Sequence, residues 1–435
     1  ATYGRRSDWQ DLYSIAKKYY EALLADPGNA QFHLTDPRGA SDKSGRTFNN
    51  PYQYFFEQMH MDDAIYADES IYEYPMQQGG GNDGRPYSFG RPSSGGSKAA
   101  YPCKSYGQGR INPAYFYGVF DPNDMRRDVS ITMTGSNGKG VEKLIPFVPN
   151  SKAEGGGLTL NKWDENRQAN PWVAAQRKSG INGPYMRMSE VYLGYAEVCA
   201  ALGDVVTGKQ YLKTVRERSF PQGLANTDAF IASFGNDLVR AIIEERGFEY
   251  AGEGDRRWTL IRSGYLPEDI KRIKDMTKAM MDGLATKGYY EFENGNIISA
   301  YIWTKLVDAK TIYGHRLTAQ CPTDKVNDPV LYPGWRGQKD NWEEMGLNYG
   351  SSTPATNLAI KGLFEIVSEE EAASLESQGY AKVNWGIDLV DYRDEYDKYL
   401  FWDYDYGSAP IYLWPFTPNV MAAGGFTNGY GFKQE

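Results

Sequence analysis

The strongest constraint on what this chain can fold into is one stretch of helical periodicity. Across YMRMSEVYLGYAEVCAALGD, the residues Met188, Val191, Tyr192, Tyr195, Ala196, Cys199 and Leu202 recur at three- and four-residue intervals. That spacing puts them on one face of a helix, with Gly203 as its stop. The next segment, VTGKQYLKTVRERSF, carries small and apolar residues at matching spacing. Two such helices in succession form a hairpin of the kind that stacks in tetratricopeptide-like scaffolds. Residues 228–251, DAFIASFGNDLVRAIIEERGFEYA, are expected to form another strong helix. Upstream, residues 8–24 set Trp9, Leu12, Tyr13, Ala16, Tyr19, Tyr20, Leu23 and Leu24 at helical spacing, and Pro27–Gly28 ends that helix. YQYFFEQM is a second apolar patch, and ESIYEYPM alternates as a short strand does.

The remainder reads differently. Residues 77–112 are rich in Gly, Ser and Pro with rings interspersed and no helical period, which predicts loop. Loops of that length in compact domains are often functional, although a plain surface excursion is the competing reading. Residues 135–184 are also loop-rich. After residue 265 the pattern loosens: LYPGWRGQKDNWEEMGLNYG and FWDYDYGSAPIYLWPFTP read as irregular, GLFEIVSEEEAASLESQGY as containing one short helix, and no sheet-forming alternation is visible. The expected class is all-α dominated, tetratricopeptide-like helical hairpins with long irregular loops and a few short strands. Its expected organisation is a partial helical region at 1–76, a loop-rich insertion on the ligand side at 77–180, the helical core at 181–264 and a loop-rich region at 265–435, together one compact unit.

Several function classes find no support. The net charge is −9 with no basic cluster, which argues against nucleic acid. Cys103, Cys199 and Cys321 share no CxxC spacing, and His33, His60 and His315 are scattered, so no zinc site is expected. Cys199 reads as a small buried hydrophobe, while pairing of Cys103 with Cys321 stays open. No acidic loop has EF-hand spacing. No apolar run is long enough for a membrane-spanning helix. GxSxG, P-loop and HExxH motifs are absent, and no cofactor is implied. Glu245 with Glu253, or Asp62 with Asp63, could only act as a glycosidase pair if they converged across a sugar. The simpler reading is structural: Arg187, Glu190 and Glu197, and the ladder Arg246, Glu249, Glu253 and Arg257, have ion-pair spacing. No catalytic residue is expected.

The helical core nevertheless carries a recognisable set of segments. Arg187, Glu190, Leu193, Ala196 and Glu197, then Val215, Arg216 and Arg218, then Glu245, Arg246, Glu249, Glu253, Gly254, Arg257, Trp258, Leu260 and Arg262 stand in order. With the ending YLWPFTPNVM and FTNGYG, they resemble the signature of the SusD/RagB family, closely over 181–264 and loosely over 1–76. Lys213–Thr214 replaces the usual Asn, Thr259 the usual Asp, and Phe416–Thr417 the usual Ile-Pro. The resemblance implies a SusD-like α/α fold and a non-enzymatic lipoprotein on the outer face of a Bacteroidetes-type outer membrane. It implies capture of an oligosaccharide and delivery to a SusC-like TonB-dependent transporter, with the protein acting as a lid. Family members begin with a lipidated Cys followed by several helices; this chain is expected to start partway through that region, with part of the ligand cleft upstream.

Sugars present apolar C–H faces that stack on Tyr and Trp while polar side chains pair with their hydroxyls. The chain has 34 Tyr and 10 Trp, most of which are expected to pack inward. The loop candidates for ligand binding are Tyr72, Tyr74, Asn82, Asp83, Arg85, Tyr87 and Tyr106, followed by Trp335, Trp342 and Tyr349. Three rival readings remain: capture of a peptide by the same lid mechanism, a helical-repeat interaction scaffold, and a glycan hydrolase.

Overall fold

The computed structural model describes residues 6–27, 33–36, 50–59, 69–79, 88–92, 105–136, 142–148, 156–164, 179–308, 356–396 and 417–425. Helix α1 (Trp9–Ala25) precedes α2 (Pro51–Gln58), whose Tyr52, Phe55 and Phe56 pack on Trp163 and Leu160 in one of the cores. A π-helical turn, Tyr115–Val119, and the short α3 (Arg126–Ser130) follow. The expected hairpin is α4 (Met188–Ala201) and α5 (Val205–Arg218), turning at Leu202–Asp204, where Gly203 has φ +91°. Leu193, Ala196, Leu212, Val215, Ala241 and Ile242 form its core.

The expected single helix over 228–251 is two: α6 (Thr227–Ala232) and α7 (Leu238–Glu249). Gly235 and Asn236 both adopt positive φ, +65° and +66°, a conformation that ends a right-handed helix. Asp237 then accepts the Arg240 amide at 3.0 Å and starts α7 afresh. Likewise, Tyr185 and Met186 are not helical. They belong to strand β6 (Gly183–Arg187), which pairs antiparallel with β1 (Ser70–Tyr74), the strand expected from ESIYEYPM. Two further short antiparallel pairs join Ile131–Thr132 (β2) to Thr159–Leu160 (β5) and Thr134–Ser136 (β3) to Glu142–Leu144 (β4).

The larger departure lies beyond residue 265. After α8 (Asp255–Ser263) comes α9 (Leu266–Lys287), 22 residues long, begun by Pro267 in its first turn and capped by Gly288 at φ +76°. A hairpin of β7 (Tyr289–Glu291) and β8 (Ile297–Ser299) follows. Then β9 (Tyr301–Asp308), β10 (Thr356–Lys361) and β11 (Ala381–Asn384) form an antiparallel sheet in the order β10–β9–β11. The short helix expected in the GLFEIV segment is α10 (Glu369–Ser377), opened by a Ser368–Glu371 capping box. The largest core gathers the π-helical turn, Met280, Met281 and Leu284 of α9, Ile302, Leu358 and Ile360 of the sheet, and Trp385. Among the described residues no helix is long and apolar enough to cross a membrane.

Candidate functional site

The β1–β6 pair has two unlike faces. Tyr72 lies opposite Met186 and Tyr74 opposite Gly183, with irregular register on either side of Tyr72. Tyr72, Tyr74, Tyr185 and Met186 point outward, the three tyrosines 53%, 57% and 68% exposed. The rings of Tyr72 and Tyr185 meet edge to face, 5.7 Å apart, an orientation aromatic pairs favour. Ser70, Glu73 and Arg187 point inward and are buried. Asn182 fastens the end of the ribbon, donating to the Glu73 carboxylate at 2.9 Å and accepting the Met76 amide at 2.9 Å. The outcome is an aromatic surface on a sheet whose opposite face is anchored.

That anchor is a buried charge network. Arg187 donates to Glu69 at 2.8 Å, to Ser189 at 2.7 Å, to the Glu249 carbonyl at 2.7 Å and to Glu253 at 3.0 and 3.1 Å. Arg218 bridges Glu69 and Glu249. Arg126 joins Glu249 at 3.0 Å to Glu245 at 2.7 Å and Asp124, and Arg216 takes the other Glu245 oxygen at 2.9 Å. Lys162 donates to Glu253 at 2.7 Å while lying 4.8 Å from the Phe56 ring centroid and 5.1 Å from that of Tyr52. Burial by itself would raise the Glu249 carboxyl, but Arg218, Arg187 and Arg126 outweigh it and hold the group well below the usual carboxylate range. Burial lowers Lys162 to about 8 against the opposing pull of Glu253.

These contacts correct the expected ladder. Arg246 does not pair along α7 with Glu249; it reaches Asp255, and Glu190 of α4 at 3.6 Å. Glu249 and Glu253 pair with cations from β6, α5, α3 and the 156–164 segment instead. Glu197, whose spacing suited an ion pair within or between helices, pairs between them, with Arg262 of α8. Glu245 is fully buried, with both oxygens taken by arginines. Both oxygens of Glu253 likewise accept from Arg187 and Lys162. Neither carboxylate has the free, facing geometry that an acid/base pair across a sugar requires. Asp62 and Asp63 lie outside the described residues.

Of the residues proposed from sequence, Tyr72 and Tyr74 stand together on the platform. Tyr106 is half-buried on the 105–110 segment, whose Arg110 bridges to Thr159. Asn82, Asp83, Arg85, Tyr87, Trp335, Trp342 and Tyr349 lie outside the described residues. Sequence reasoning missed Tyr185 and Met186 by absorbing them into the helix that follows. No local signal separated them, because Pro184 is as acceptable at the first turn of a helix as in a strand.

The profile of the SusD family matches residues 31–416. A SusD-like protein of Formosa agariphila is 28% identical over 160 residues, which are 37% of this chain and 26% of that protein. A SusD homologue from Bacteroides thetaiotaomicron superposes with a TM-score of 0.42 at 17% identity, covering 61% of this chain and 51% of its own. Surface glycan-binding protein A of the same organism gives 0.40 at 20% identity, covering 60% and 52%. The match thus spans about a quarter of the curated relative and about half of each of these structures.

Proposed function

The chain belongs to the SusD family, and from that premise we propose that it captures an oligosaccharide at the cell surface without chemically altering it. The glycan then passes to a SusC-like TonB-dependent transporter in the outer membrane, to which the protein is held by an N-terminal lipid and over which it acts as a lid. The observation that carries the capture step is the platform of Tyr72, Tyr74 and Tyr185, three outward rings on a ribbon fixed from behind. Exposed aromatic clusters on an otherwise polar surface mark binding sites, and a pyranose offers such rings the apolar face they stack on. An anchored backbone lowers the ordering cost of binding. The carboxylates best placed in sequence to hydrolyse a glycan are occupied by arginines and Lys162, which favours capture over turnover.

The test is a calorimetric screen of the purified chain against a polysaccharide panel and a peptide mixture, with released reducing sugar measured in parallel. One glycan should bind without release of sugar. Tyr72→Ala and Tyr185→Ala should each weaken it roughly three- to tenfold, the value of one ring contact of about 0.5–1.5 kcal/mol. Binding of peptides alone would keep the family and change the cargo; released sugar would overturn the reading.

A further inference from the structure

The tyrosine platform is not flat, and the reason lies in the register of its ribbon. Side chains alternate between the two faces of a regular strand, so the neighbours Tyr185 and Met186 could not both point outward from one. The pairing steps from Tyr72 and Met186 to Glu73 and Pro184, which leaves Tyr185 with no counterpart on β1. A compensating slip between Ser70 and Tyr72 leaves Ile71 with none on β6. An extra residue of this kind is a β-bulge, which re-aims a side chain within a ladder. Here it turns Tyr185 to the outer face, where it is the most exposed of the three rings. Arg187, two residues on, keeps its place among the buried carboxylates.

Tyr185 reaches that face at an angle. Its ring plane stands at 85° to that of Tyr72 with centroids 5.7 Å apart, so the edge of one ring meets the face of the other and the pair encloses a right-angled corner. Tyr74 continues the outer face two residues along β1, opposite Gly183, which brings no side chain beside it. A pyranose stacks through one apolar face on one ring plane. A chain whose sugars share a common plane can therefore stack on Tyr72 or on Tyr185, but not on both. A chain that turns between neighbouring sugars can lay one on each.

We infer that the platform selects a curved glycan, one whose linkages turn successive sugars out of a common plane, over a flat ribbon; this rests on the capture reading above. The test is titration calorimetry with four neutral pentasaccharides. Maltopentaose and laminaripentaose have linkages that curve the chain; cellopentaose and mannopentaose are extended ribbons. At least one curved chain should bind the parent protein roughly three- to tenfold more tightly than either ribbon, the worth of the ring contact a ribbon forgoes. Tyr72→Ala and Tyr185→Ala should each weaken the curved chain, whereas a ribbon should respond to only one of them. Both rings are exposed and the anchored face is untouched, so each variant should melt within about 2 °C of the parent. Ribbons bound as tightly as curved chains, or a curved chain indifferent to either ring, would overturn the inference and leave capture standing. Binding in the polysaccharide panel with none of the four pentasaccharides bound would do the same. Silence in both experiments would overturn capture as well.

Discussion

Arg187 ends the strand that carries Tyr185 and stands at the start of α4, so one guanidinium ties the platform to the helical core. Its donors go to Glu69, Ser189, Glu249 and Glu253. Arg187→Met should cost about 3–5 kcal/mol in urea denaturation, because it strands buried carboxylates whose remaining cations cannot match them. Arg187→Lys should recover only part of that loss, since an ammonium cannot reproduce a planar fork. A loss below about 1 kcal/mol for Arg187→Met would show the network to be dispensable. At this scale the sequence displayed the charges but not their partners. Glu69 is 118 residues from Arg187, and no spacing rule reaches that far. At Thr259, one of the positions that depart from the family signature, the hydroxyl accepts from Arg246 at 3.3 Å and donates to Asp255 at 2.9 Å. Tyr72 and Tyr74 stood out as rings among polar residues, although they lie on β1 rather than on the expected loop; Tyr185 did not, because the strong helical period next to it claimed its segment.

Helix α1 is held to the rest of the molecule by partly buried side chains alone. None of its residues is fully buried. It rests on α4 through Tyr13, Ala16, Tyr20 and Leu24, with Tyr13 donating to Glu197 at 3.1 Å and Lys17 pairing with Asp204 at 3.3 Å. The contact depends on Gly194, where an added Cβ would lie 2.4 Å from the Tyr20 hydroxyl oxygen. Gly194→Leu should therefore release α1 while leaving the α4–α5 hairpin in place. Hydrogen exchange should show protection lost over residues 9–25 and kept over 205–218; loss across both would mean that α1 is integral to the hairpin. Helices with a stripe against a neighbour were readable from sequence, α1, α4 and α5 among them. Helix α9 was not, although Ile270, Ile273, Met276, Met280 and Leu284 follow a helical period, because the aromatic-rich loops beyond it set the reading of the whole region. The β9–β10–β11 sheet was hidden for a different reason. Ile302 and Trp303 are both buried, as are Leu358, Ala359 and Ile360, so the strands lack the inside–outside alternation of a half-exposed sheet.

For the molecule as a whole, so much buried charge makes stability a function of pH at both ends. On the acid side, Glu249 is held far below its ordinary value. Glu244 is drawn down to about 2, where Arg256, Arg272 and Arg240 overcome the opposing effect of burial. Their unfolded counterparts titrate near 4.3, so the unfolded chain takes up protons first and stability falls as pH drops from about 5 toward 2. On the alkaline side Lys162 acts in the opposite sense to a normal surface lysine. Its folded value of about 8 lies below the unfolded value near 10.4, so between those limits the unfolded chain holds a proton that the folded chain has released. Stability contributed at this site therefore rises with pH through that window. Cys199, raised by burial, opposes the rise, and so do Tyr52 and Tyr250, raised by burial as well, because their unfolded forms ionise first. Lys162→Met isolates the lysine: a thioether suits a site between the Tyr52 and Phe56 rings, and Glu253 keeps Arg187. Urea denaturation at pH 7 and pH 9.5 should show the variant as stable as the parent or more so at pH 7. The parent should gain stability relative to the variant by about 1–2 kcal/mol on going to pH 9.5. Parallel pH profiles for the two proteins would mean that Lys162 titrates as it does in water, and that the network around Arg187 is more open to solvent than its geometry shows.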